Sequence, residues 1–102
     1  MVEWSGPAKR NLRQIYDYIA QDSKYYAKSV VQNIVDKSES LELFSKVGRV
    51  APEINDPNVR EIFIYSYRLI YEVRSNSVGI LAIVHGRRDF SNSNLDMLNK
   101  EK

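Results

Sequence analysis

Apolar positions recur at helical spacing through the first half of the chain and crowd into near-continuous runs in the second. Ala8, Leu12, Ile15, Tyr16 and Ile19 fall on one face of a helix, with Lys9, Arg10, Arg13, Gln14 and Asp17 between them as its wet side. Ser5 ahead of Pro7 has the form of an N-cap followed by a proline in the first turn. The "VEW" before it reads as a short edge strand. Asp22 and Ser23 interrupt the pattern and offer a second N-cap. Ala27, Val30, Val31, Ile34, Ser38, Leu41 and Phe44 then continue at helical intervals to a stop before Gly48. So short a link makes the two helices an antiparallel hairpin, and each needs a surface to cover its single apolar face.

The second half supplies that surface. After the loop "APEINDPN" (51–58) come residues 60–88, "REIFIYSYRLIYEVRSNSVGILAIVHGRR", rich in the residues that favour strands. Ser75-Asn76-Ser77 is a turn signal that sets 67–74 antiparallel to 78–85. The last strand is apolar at nearly every position and belongs at the centre of the sheet. Phe63, Tyr65, Tyr67, Leu69, Tyr71 and Val73 share one parity; Arg60, Ile62, Ile64, Arg68, Ile70, Glu72 and Arg74 share the other. An odd-numbered turn near Ser66 would send every aromatic side chain towards the helices. Arg60, Arg68 and Arg74 would then stand on an open face with Glu72, and this segregated pairing is the expectation. The fold class is α+β: a short N-terminal strand and an antiparallel two-helix hairpin packed on one face of a small, mainly antiparallel β-sheet. Residues 91–102 fit a short C-terminal helix.

With 102 residues the chain makes one domain, 1–102, and 43 % hydrophobic with 27 % charged residues is a globular composition. No apolar run approaches the roughly 18–20 residues of a membrane span, and "MVEWSGPAKR" has no signal-peptide pattern. The expectation is a cytoplasmic protein with no membrane contact. Zero cysteines and one histidine remove disulfides, thiol chemistry and His-rich metal sites, so neither metal nor cofactor is expected. The net charge of +2 is spread thinly, so any anionic partner must be met by local groups of arginines.

The strongest such group is "HGRRDF" at 85–90. His85, Arg87 and Arg88 follow the central strand, beside Arg68 on its neighbour, and guanidinium forks suit phosphate or carboxylate. Gly86 would turn the backbone so that the arginines project. Against this, Arg88–Asp89 and Arg60–Glu72 can be exposed pairs worth ~0–1 kcal/mol, and because solvated strand arginines are common, spacing alone favours that reading. His85 has a pKa suited to proton transfer but no carboxylate placed to orient it. The tyrosines fall mostly on core parities and read as packing.

Several words in this order, "WSGPA", "LRQIYDYI", "GR" at 48–49, "REI" at 60–62, "YRLIYEV" at 67–73 and "VHGRRDF" at 84–90, resemble the RelE/ParE family of toxins from type II toxin–antitoxin modules. The resemblance covers nearly the whole chain. It implies two possible activities. A RelE-like member would be a ribosome-dependent mRNA endoribonuclease. Arg68 and Arg87 match arginines of that site, with His85 a possible proton carrier; the tyrosine of the cleaving branch has no counterpart between Phe90 and Lys102. A ParE-like member would poison DNA gyrase and have no nuclease site, and the helical hairpin with the "HGRRD" ending favours this branch. An inactive binding member is the third reading. The resemblance further implies a cognate antitoxin in a hetero-oligomeric complex, with Arg60, Arg68, Arg74, Arg87 and Arg88 as candidate binding residues for antitoxin or target.

Overall fold

The computed structural model describes residues 1–86, in the order β1 (Val2–Trp4), α1 (Gly6–Ala20), α2 (Lys24–Ser40), β2 (Arg49–Val50), β3 (Val59–Ile64), β4 (Tyr67–Val73) and β5 (Val78–His85). The strands form one sheet in the order β1-β5-β4-β3-β2, antiparallel except where β1 runs parallel to β5. The apolar "VGILAIV" is therefore an interior strand, between β1 and β4, and "VEW" is an edge strand. The sequence pattern did not signal β2; its two residues cover the flank of β3.

Ser5 ties sheet to hairpin. Its hydroxyl accepts the Ala8 amide at 3.1 Å as the α1 N-cap and donates to the Leu81 carbonyl at 2.9 Å, while its own amide reaches the Ile80 carbonyl at 3.0 Å. Asn11, two turns further on, accepts the Ile83 amide at 3.0 Å. Together they satisfy the stretch of β5 that the three-residue β1 leaves uncovered. Ser23 caps α2 through the Tyr26 amide at 3.0 Å.

α2 ends at Ser40, not Phe44. Ser38 and Ser40 turn their hydroxyls back onto the Val35 and Lys37 carbonyls, the local competition that loosens a helix end. Leu41 is buried, whereas Leu43, Phe44 and Val47 lie exposed in the turns that follow. Those turns deliver Gly48 to Tyr71, whose hydroxyl accepts the Gly48 amide at 3.0 Å and donates to the Ser45 carbonyl at 2.8 Å. A Cβ on Gly48 would lie 2.5 Å from the Glu61 carbonyl and 2.6 Å from that hydroxyl, so the position needs glycine for close approach.

The segregated pairing is overturned. Tyr65 and Ser66 alone join β3 to β4, pairing Ile64 with Tyr67, Ile62 with Leu69 and Arg60 with Tyr71. An even turn puts opposite parities on one face. Ile62, Leu69, Tyr71, Ile80 and Ile83 therefore meet Ala8, Ile15, Val30, Ile34 and Leu41 of the hairpin, and Arg60 lies on that side. Phe63 faces the other way with Arg68. The outer face is also not open. Val59, Ile70, Leu81, Ala82 and Val84 form a second apolar cluster with Ala51 and Ile54 of the 51–58 loop. Tyr71 is the one tyrosine in the buried core, while Tyr18, Tyr25, Tyr26 and Tyr65 are at least half exposed, so the reading of tyrosines as packing fails for most of them.

Candidate functional site

Arg68 sits mid-sheet on the outer face with its side chain 7 % exposed, rather than projecting into solvent. Its register partner Phe63 and the next outward-facing residue of β3, Glu61, share that face. Glu61 is fully buried, a charge inside an apolar strand, and it accepts from Arg68 and from the Arg49 guanidinium of β2. From the loop, Glu53 meets Arg68 with two parallel bonds of 2.8 Å each. Two arginines thus face two glutamates, the pairing a buried charge requires. Glu53 first, then Glu61, raises the Arg68 pKa further, against the opposing effect of burial. Arg49 also lies over the half-exposed Phe63 ring, 5.8 Å from its centre.

The remaining arginines are dispersed. Arg60, expected beside Arg68, projects on the helix side because it pairs with Tyr71, and donates to the Gly48 carbonyl at 2.8 Å. Arg74, past the end of β4, lies across Gly79 between the carboxylates of Glu72 (3.0 Å) and Glu3 (3.6 Å), which flank that glycine on neighbouring strands. Arg60 faces the helices, so the cross-strand pair suggested for it with Glu72 is replaced by Arg74–Glu72, two residues apart along the chain. Arg87 and Arg88, and the residues 91–102 for which a short helix was expected, lie outside the described residues.

His85 does not share a groove with Arg68. It pairs with Tyr67 while Arg68 pairs with Val84, so alternation puts the two on opposite faces. The imidazole meets the Tyr67 ring edge-on at 6.0 Å between centres. It lines an open cavity of about 470 Å³ with Asn11, Gln14 and Tyr18 of α1. Burial raises the Tyr67 pKa, with further contributions from the nearby Tyr18 and Tyr26 phenols. Among the described residues no acidic or histidine cluster could hold a metal ion, and no helix is long and apolar enough to cross a membrane.

Sequence reasoning missed Glu53, Glu61 and Arg49. A glutamate inside an apolar strand was the available signal for Glu61; nothing local announces that a loop glutamate will fold back onto a strand arginine.

The model of the family described as "ParE toxin of type II toxin-antitoxin system, parDE" matches residues 2–90. The chain belongs to the ParE toxin family. Among solved structures it is similar to a chain titled "Chromosomal ParDE TA system from P. aeruginosa", at 25 % identity and a TM-score of 0.69, covering 82 % of this chain and 92 % of that one. No curated protein matches it by sequence. The family match runs from β1 through β5, so the whole described sheet and hairpin are the ParE architecture.

Proposed function

We propose that this ParE-family toxin arrests growth by poisoning DNA gyrase, and that a cognate antitoxin neutralises it in a hetero-oligomeric complex. The burial of Arg68 between Glu53 and Glu61 carries the choice of target. RNA cleavage needs a cation presented to the scissile phosphate and a proton carrier beside it. Arg68 is already neutralised by two carboxylates, and His85 is on the opposite face. A protein target asks instead for surface, and the chain offers exposed aromatic and apolar groups: Phe63 under Arg49, Tyr18, Tyr25, and the Leu43–Phe44–Val47 turns.

The decisive experiment is a supercoiling assay with purified gyrase, run beside a ribosome-dependent cleavage assay on a translated message. The expected result is loss of supercoiling with accumulation of broken DNA, and an intact message. New 5′ ends within codons, with supercoiling unaffected, would instead make the chain a nuclease and direct attention to Arg87.

A further inference from the structure

The open cavity of about 470 Å³ on the helix side is walled by α1 and by the ends of β4 and β5. Its floor is apolar, Ile15 and Ile83, both buried. Its wall is aromatic, the Tyr67 ring with the His85 imidazole edge-on to it. Polar groups there are unused by the fold. The Asn11 side-chain oxygen holds the Ile83 amide, but among the described residues its NH2 group makes no hydrogen bond, and neither do the hydroxyls of Ser66 and Tyr67. No lysine, arginine, aspartate or glutamate of the described residues lines the cavity. Tyr18 at its edge and Tyr26 near it are exposed, and both phenols come close to Tyr67.

An apolar floor, an aromatic wall and idle hydrogen-bonding groups suit a flat, uncharged ring that can pack edge-to-face and carries a polar edge. A free small molecule in so open a hollow would keep much of its surface wet. A side chain presented by a protein is covered by the rest of its own chain, which meets the exposed Tyr18 and Tyr26. A nucleobase would arrive with phosphate, yet no cation lines the cavity, and Arg13 of α1 is paired with Asp17 at 3.1 Å. The other exposed surfaces lack such a pocket: the hollow at Leu43, Phe44 and Val47 is walled by that one stretch of chain, and Phe63 lies under Arg49. We propose that this cavity is the docking pocket for the toxin's protein target, and that it receives one uncharged aromatic side chain of gyrase. The proposal rests on the gyrase reading above and deepens it by naming the contact.

Tyr18 is 72 % exposed and Gln14, also at the cavity, is exposed, so both can be changed without disturbing the core. With circular dichroism unchanged, Tyr18→Ala and Gln14→Lys should each need about ten-fold or more protein for the same inhibition of supercoiling. Tyr18→Phe, which keeps the ring, should match the wild type. Undiminished inhibition by Tyr18→Ala and Gln14→Lys overturns the pocket as the gyrase contact; if those variants lose antitoxin binding instead, the cavity belongs to the antitoxin. A second measurement needs no gyrase. N-acetyl-tryptophanamide titrated into the full chain should shift the Asn11 and Gln14 side-chain amide signals in ¹⁵N NMR saturably, and adenosine monophosphate should not. No saturable shift, or an equal response to the nucleotide, overturns the aromatic side chain as occupant. A wild type that leaves gyrase untouched overturns the target and the gyrase reading together, while the titration still decides what chemistry the pocket takes.

Discussion

Tyr71 shows how much one side chain can hold in this fold. Its ring is in the core, and its hydroxyl joins the Gly48 amide to the Ser45 carbonyl, closing the turns between α2 and β2. Tyr71→Phe leaves both backbone groups without that partner and should lower stability by about 1–3 kcal/mol, read from a urea midpoint. Gly48→Ala forces a methyl against the Glu61 carbonyl and should cost about 1–3 kcal/mol in the same measurement. Burial also raises the Tyr71 pKa from 10.0, only partly offset by the Gly48 amide and Arg60, and Tyr67 shifts the same way. Above pH 10 the unfolded chain releases phenolic protons that the folded chain retains. The stability present below that pH should therefore fall as pH rises through the alkaline range. Melting curves taken across that range should show a shallower fall for Tyr71→Phe.

At the scale of elements, a turn of two residues decides the chemistry of both sheet faces. Hydrophobic periodicity revealed both helices, the meander and the interior place of β5, because each of these is written in local spacing. The length of the β3–β4 turn is not. Tyr65 occupies a left-handed conformation (φ 56°), a position usually given to glycine or asparagine, so "IYSY" carries no turn signal. A misjudged turn reassigned every side chain on β3 relative to β4, which is why Arg60 and Arg68 were placed together and the Glu61–Arg68 pair was not foreseen. Asn11 is a second element-level contact hidden from periodicity, since an amide on a helix flank gives no hint that it will cap a strand. Asn11→Ala leaves the Ile83 amide unpaired and should cost about 1–3 kcal/mol. Hydrogen exchange should show faster exchange confined to the end of β5.

For the whole molecule, the buried charges couple stability to any functional test. Arg68→Ala strands Glu61 inside the sheet with Arg49 as its remaining partner, and should cost about 3–5 kcal/mol. That is a large share of the roughly 5–15 kcal/mol holding a typical domain together. A loss of toxicity in this variant therefore reports on folding unless circular dichroism shows the native structure. Replacing Arg49, with its exposed side chain, is the gentler probe of the same face, and its thermal midpoint should move far less.

β5 sits between β1 and β4, receives α1 through Ser5 and Asn11, and lies late in the chain. During synthesis the first strand and the hairpin therefore wait at the ribosome for a surface that is still being made. A nascent chain stopped before Val78 has no groove for β1 and no backbone for Asn11 to cap, and it should be cut readily by protease. Once β5 has been made, β1 gains its parallel partner, and Ser5 and Asn11 gain the backbone groups they bind.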